Sequence, residues 1–280
     1  DSMIKNLICL GGGIEAVPII ERAKALGCRV LVVDINGRCP ARYISDIYVQ
    51  ESCYHSLGAI ETLHEIALEA HDKYDGVLCC AIDAPLVAAE IAAEFSLPGL
   101  SIDAAKLGQD KFMQKAKLHD ANIRVPDYHL TRSVNEISYA GANGVIKPLD
   151  SRGGRGVVRL LPGVDPAFAY EIAEANSPTG RVMVEEWLDG PQLSTESVVQ
   201  DGKVLFTAIG LRNYDRLAEF APACIEDGAT MPYGDDALKA EIDTVIELAC
   251  RALGWNTLTC KGDLVVHDGK VYVMELACRR

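Results

Sequence analysis

The chain has 280 residues, 49% of them hydrophobic and 24% charged, the balance of a globular protein with two or three domains. Lys+Arg 27 against Asp+Glu 40 gives a net charge of −13. This argues against nucleic acid or an anionic membrane as partner, since both select basic surfaces. No apolar run approaches the roughly 18 residues of a membrane helix. The start, Asp1-Ser2-Met3-Ile4-Lys5, lacks the layout of a secretory signal, and Asp1-Ser2 reads as a remnant ahead of Met3. The 10 cysteines fall in apolar segments with no Cys-x-x-Cys pair. That fits buried thiols in a reducing cytoplasm, and no zinc site is expected.

The first hundred residues alternate strand and helix. Ile4–Leu10 is an apolar run ending in Gly11-Gly12-Gly13, and Ile14–Leu26 follows with helical spacing. Arg29–Asp34 reads as a strand, Leu57–Lys73 as a helix, Gly76–Ala81 as a strand and Pro85–Phe95 as a helix. Strands without polar alternation, joined by helices, imply a parallel sheet covered on both faces. Leu97-Pro98-Gly99-Leu100 is the natural boundary. Beyond it, Ser101–Gly108 and Asp110–Ala121 read as short helices, and Asp127 to Leu160 as short strands broken by glycines. Pro166–Ala175 and Asp236–Leu253 are helical. Arg181–Glu186, Leu193–Val199, Val204–Leu211, Thr257–Val266 and Val271–Leu276 read as antiparallel strands, with hairpin turns at Asp201-Gly202 and Asp268-Gly269.

Four segments carry candidate chemistry. Gly11-Gly12-Gly13-Ile14-Glu15-Ala16 fits G-x-G-x-x-A between strand and helix, with Asp34 where a ribose-binding acid would fall. This is the feature behind an alternative reading as an NAD-dependent oxidoreductase. Lys147 ends the apolar run Val145-Ile146 just before the glycine-rich turn Ser151–Gly156. A lysine buried in a strand wants an anionic partner, and a flexible glycine turn offers N–H groups, so the pair suits a phosphate. In Glu185-Glu186-Trp187-Leu188 a strand runs into a turn, where backbone groups at Glu186 and Leu188 could read an adenine edge. Asp263 and Glu275 interrupt the two apolar strands of the last hairpin, and facing carboxylates call for a cation such as magnesium between them.

The order of Lys111, Lys147 before its glycine loop, Glu185–Leu188, Asp263, and Glu275 with Arg279 resembles the ATP-grasp superfamily along the whole chain. That superfamily includes biotin carboxylase, the carbamoyl-phosphate synthetase large subunit, D-alanine–D-alanine ligase and L-amino acid ligases. The resemblance implies an N-terminal parallel α/β domain over 1–100 and a small subdomain with the glycine-rich loop over 101–180. An incomplete C-terminal subdomain of antiparallel sheet and helices would fill 181–280. It implies ATP and Mg2+ as cofactors, with Lys111, Lys147, Ser151, Gly153 and Gly154 at the phosphates. Glu185, Glu186 and Leu188 would hold adenine, with Gln192 where relatives carry a ribose-binding glutamate. Asp263 and Glu275 would hold the metal, and Arg279 would support the reacting carboxylate beside Lys147. The implied reaction joins a small-molecule carboxylate to an amine through an acylphosphate in the cytoplasm. A homodimer is left open, and a nucleotide-binding protein without catalysis stands as a further alternative.

Two departures accompany this resemblance. Ala277 stands where the family pattern has an asparagine, and the sequence ends one residue after Arg279. Parity adds a structural expectation. A two-residue turn at Asp268-Gly269 would pair Asp263 with Met274 and send Glu275 to the opposite face. An odd loop within His267–Lys270 is therefore expected, with both carboxylates on one face toward the phosphate loop.

Overall fold

A computed structural model describes residues 5–70, 73–79, 81–138, 144–151 and 153–279. Ile4, Cys80, Arg152 and the end of the anticipated Leu57–Lys73 helix at 71–72 lie outside the described residues. The chain forms two compact units. The first comprises Asp1–Gly108, Gly254–Thr259 and Ala277–Arg280; the second comprises Gln109–Leu253 and Cys260–Leu276.

In the first unit the elements are β1 (Asn6–Leu10), α1 (Val17–Ala25), β2 (Arg29–Val33), β3 (Ile47–Val49), α2 (Ser56–Ala70), β4 (Gly76–Leu78), α3 (Pro85–Glu94) and α4 (Ile102–Leu107). The strands are parallel in the order β3-β2-β1-β4. Side chains alternate between two buried layers. Ile8, Leu10, Leu31 and Val33 pack with Leu63 of α2 and Ile91 of α3, while Cys9, Val30 and Val32 pack with Ile20 and Ala23 of α1. Burial of both faces is why these strands show no polar alternation in sequence. The three-residue β3 was not anticipated, and the Ile14–Leu26 helix starts with a 3-10 turn at Ile14–Ala16. The unit runs on past Leu100 to Gly108 because α4, capped by the Ser101 hydroxyl, which accepts from Ala104 N at 3.1 Å, belongs to it. The fully buried Trp255 donates its indole N–H to the Ala104 carbonyl at 2.9 Å.

The second unit contains α5 (Lys111–Asp120), β5 (Tyr128–Thr131), β6 (Gly144–Pro148), β7 (Val158–Leu160), α6 (Pro166–Ala175) and β8 (Val182–Glu186). It continues with β9 (Gln192–Gln200), β10 (Lys203–Asn213), α7 (Leu217–Phe220), β11 (Gly228–Thr230) and α8 (Asp236–Leu253), then most of β12 (Leu258–His267) and β13 (Lys270–Arg279). The first antiparallel sheet has the order β5-β8-β6-β7, and the second sheet the order β11-β10-β9-β12-β13. Ile146, Val158, Leu160, Val182 and Val184 form one face of the first sheet, covered by Ala169 and Ala173 of α6. Its other face is left for polar work. On α8, Ile242, Ile246, Ala249, Cys250 and Leu253 make the buried stripe that helical spacing dictates. The short α7 and β11 were not anticipated.

Both anticipated hairpin turns form. Asp201 and Gly202 have φ of 50° and 72°, Asp268 and Gly269 of 48° and 71°, the paired positive values of a two-residue type I′ turn. The odd loop expected within His267–Lys270 is therefore overturned: His267 ends β12 and Lys270 begins β13. The parity argument is resolved inside β13 instead. The outer edge of this strand is bonded at Val271, which accepts from Arg124 Nε (2.9 Å) and donates to Glu241 (3.0 Å), and at Val273, which donates to the Arg124 carbonyl (2.8 Å). A strict period of two would bring Glu275 next, but Leu276 follows, with its N–H and carbonyl both bound by Gln114 at 2.8 Å. Burial shifts in step, from Val271 and Val273 to Leu276 and Cys278. One extra residue at Met274–Glu275, a β-bulge, resets the faces of the strand.

Candidate active site

The polar face of the first sheet carries Lys147 and Glu185. Val145 pairs with Glu185 and Lys147 with Met183, so the lysine and the carboxylate are diagonal neighbours on one face. Lys147 Nζ lies 2.6 Å from Glu185 Oε2, and Lys115 Nζ of α5 lies 3.2 Å from Glu185 Oε1. Lys115 also donates to the Met274 carbonyl at 2.7 Å. Lys115 and Glu185 are 1% and 0% exposed, Lys147 7%. Two ammonium groups around one buried carboxylate leave a net positive charge on this face. Burial alone would raise the Glu185 carboxyl, but the Lys115 and Lys147 ammoniums overcome it and hold the carboxyl below its usual range. Burial pushes the Lys115 ammonium down to about 8, with Glu185 opposing the shift and Lys147 adding to it. Lys147 thus has the anionic partner its strand position demands, supplied by the protein.

Lys111 opens α5, where the Asp110 side chain accepts from Met113 N at 2.9 Å. Its ammonium donates to the Ser151 carbonyl at 2.7 Å and lies 3.3 Å from Glu275 Oε1, tying the start of the glycine loop to the last strand. Gly153, Gly154 and Gly156 have φ of 63°, 69° and 75°. No atom lies within 4 Å of where a Cβ would stand on Gly153 or Gly154. A backbone stripped of side chains and open to solvent can lie close against a phosphate.

Gly262 and Leu276 face α8, because a Cβ on Gly262 would stand 3.4 Å from Leu276 Cδ2 and 3.5 Å from Ile246 Cδ1. Their chain neighbours Asp263 and Glu275 therefore both point to the opposite face. Asp263 Oδ1 accepts from Arg212 Nη2 (2.7 Å) and Lys261 Nζ (2.6 Å), and Glu275 has Lys111. Among the described residues no three His, Cys, Asp or Glu side chains form a metal-holding group. Two part-exposed carboxylates on one face fit magnesium, which takes one or two protein carboxylates and fills its other positions with phosphate oxygens and water.

The remaining candidates are more dispersed. Glu186 donates its N–H to the Asp127 carbonyl at 2.8 Å, so that group is engaged within the protein, and Leu188 is buried at the strand end. Trp187 beside them is stacked by the Arg159 guanidinium, 4.0 Å from the ring centroid. Gln192 starts β9, half-buried. Arg279 belongs to the first unit, where its Nη2 lies 4.0 Å from Asp83 Oδ1. In that same unit Asp34 accepts from Gly12 N (2.7 Å) and Asn36 N (2.8 Å) through its two carboxylate oxygens. It acts as a clasp on the glycine turn. Lys115, Gln114, Arg212 and Lys261 were missed in the sequence. For the first two a signal existed, since positions 111, 114, 115 and 118 share one face of a helix.

The second unit brings together an antiparallel sheet with a lysine–carboxylate floor and a hairpin with two carboxylates on one face, and the first is a parallel α/β unit. The chain belongs to the ATP-grasp family, whose domain matches residues 108–280. It is 24% identical over 195 residues to a formate-dependent phosphoribosylglycinamide formyltransferase of Erythrobacter litoralis, covering 66% of this chain and 48% of that protein. An L-amino acid ligase structure from Bacillus licheniformis superposes with a TM-score of 0.77 at 22% identity, over 98% of this chain and 67% of the other. The ADP complex of an N5-carboxyaminoimidazole ribonucleotide synthetase gives 0.79 at 21% identity, over 99% and 70%. The chain spans about half the length of the curated formyltransferases it matches. Among the described residues no helix is long and apolar enough to cross a membrane.

Proposed function

We propose that this protein is an ATP- and magnesium-dependent ligase joining a small carboxylate to an amine through an acylphosphate, working in the cytoplasm. The observation that carries the reading is the Lys115–Glu185–Lys147 floor, tied through α5 and Lys111 to the glycine loop and to Glu275. Lys147 and Lys111 supply positive charge for phosphate oxygens, and the loop from Ser151 to Gly156 supplies backbone N–H groups. The strand end at Glu185–Leu188 receives the base, with Gln192 toward the ribose. Asp263 and Glu275 would hold the magnesium, which would neutralise charge on the transferring phosphoryl group. The carboxylate substrate attacks the γ-phosphorus, ADP leaves, and the amine then displaces phosphate from the acylphosphate. The curated relatives support this class of chemistry, since one carries a formyltransferase name and another is an N5-carboxyaminoimidazole ribonucleotide synthase. Arg279 is proposed to support the negative charge that develops on the reacting carboxyl carbon's oxygens.

Thermal unfolding with ATP and magnesium, compared with NAD, tests the nucleotide. Ligand linkage predicts a shift of about 3 kcal/mol in stability at a hundredfold excess over Kd. Phosphate release with carboxylate and amine pools tests the reaction. Stabilisation by NAD with none by ATP would return the glycine turn of the first unit to prominence and overturn the proposal.

A further inference from the structure

We propose that Gln114, assisted by Lys115, is a positioning residue that sets the direction of Glu275 by imposing the bulge in β13. The inference rests on the reading of Asp263 and Glu275 as the magnesium carboxylates. β13 is the edge of its sheet, so its outer N–H and carbonyl groups need partners from outside the sheet. Arg124 serves Val271 and Val273. At the next position the partner is a side-chain amide. Gln114 Oε1 accepts from Leu276 N and Gln114 Nε2 donates to the Leu276 carbonyl, both at 2.8 Å, as a neighbouring strand would. Lys115 Nζ takes the Met274 carbonyl at 2.7 Å on the other side of Glu275.

These three bonds bracket Glu275 and move the outward-facing position from 275 to 276. Without the shift, Glu275 would follow Val271 and Val273 to the buried face, where an apolar layer offers a carboxylate no partner. With the shift, Leu276 enters that layer at 1% exposure and Glu275 turns to the face of Asp263. A terminal amide is suited to the task because it presents a donor and an acceptor side by side. Gln114 is 2% exposed and both its amide atoms serve Leu276. The two-residue Asp268-Gly269 turn alone places Glu275 on the wrong face, so a device of this kind is required for the carboxylates to cooperate.

The test is calorimetric titration of ADP, with and without magnesium, on the wild-type chain and on Glu275→Gln, Gln114→Leu and Gln114→Glu. Magnesium should strengthen ADP binding to the wild type, and Glu275→Gln should lose most of that gain. Gln114→Leu should lose at least tenfold of the magnesium-dependent gain while its metal-free ADP affinity stays within twofold. Gln114→Glu keeps the acceptor for Leu276 N but sets a carboxylate against the carbonyl, and should fall between. It decides the question by the same ratio if Gln114→Leu does not fold. Full retention of the magnesium gain in a folded Gln114 variant overturns the proposal, as does a parallel fall of metal-free and metal-dependent affinity. An unchanged magnesium gain in Glu275→Gln instead overturns the metal reading, and the proposal with it.

Discussion

Glu185 is the group on which the polar floor depends, and Glu185→Leu measures that dependence. Its carboxylate lies 2.6 Å from one ammonium and 3.2 Å from another. At an effective dielectric constant of about 20 these separations correspond to about 6 and about 5 kcal/mol of attraction, set against several kcal/mol of desolvation per ion. Removing the carboxylate leaves Lys115 and Lys147 buried without it, and the expected loss of stability is about 3–5 kcal/mol. Urea unfolding at pH 7 reads this as a lower midpoint at unchanged slope. Lys115→Met should cost less, because Glu185 keeps Lys147, and the double variant should lose less than the sum of the singles. The pH dependence supplies a second reading. The folded-state ammonium of Lys115 is depressed to about 8 from 10.5. Between those values the unfolded chain holds a proton that the folded chain has released, so this residue makes stability rise with pH, by about 3 kcal/mol in all. Below pH 8 its penalty is constant. Lys115→Met should lack the rise. A Glu185→Leu protein within 1 kcal/mol of wild type, on the scale of ordinary surface changes, would refute the picture of a charged floor.

Lys147→Ala should weaken ATP binding by about 1.5–3 kcal/mol through loss of a charge-assisted contact; calorimetry on the folded variant with unchanged affinity would remove Lys147 from the site. Amide hydrogen exchange over residues 153–156 should slow on addition of ATP and magnesium while Gly11–Gly13 stays unaffected, and equal protection in both states would count against a phosphate-closing loop. Gly190→Ala should cost at least 3 kcal/mol or abolish folding. Its φ is 138° and an added Cβ would stand 2.0 Å from the Val266 carbonyl oxygen, and a variant with wild-type melting behaviour would show that the turn yields freely.

The alternation of apolar strand and helix made the parallel sheet legible, because burial on both faces writes unbroken apolar runs such as Val30–Val33. The helices Pro166–Ala175 and Asp236–Leu253 form at the bounds expected of them. β3 and β11 escaped because three residues carry too little periodicity to rise above loop composition. Lys147 was legible as a lysine lodged in an apolar strand, but Glu185, the anion the fold itself sets beside it, was not read as its partner. Lys115 was passed over because lysines are rarely buried, and only its i,i+4 relation to Lys111 betrays it. Asp34 shows the opposite case. Its spacing from the glycine turn matches a ribose acid, yet both oxygens accept backbone N–H groups. The shared face of Asp263 and Glu275 was expected from their chemistry, but the device that achieves it was not legible, because strand parity counts from the turn and a bulge inside β13 resets the count.

One face of α5 presents Lys111 to the glycine loop, Gln114 to the edge of β13 and Lys115 to the buried carboxylate. Inserting or deleting one residue within this helix would rotate everything beyond it by about 100°, so no change of length there can be absorbed locally. Drift in this family member should therefore be recorded as length variation elsewhere. The Asp201-Gly202 turn, exposed between β9 and β10, is a suitable point for grafting a peptide tag or a reporter domain.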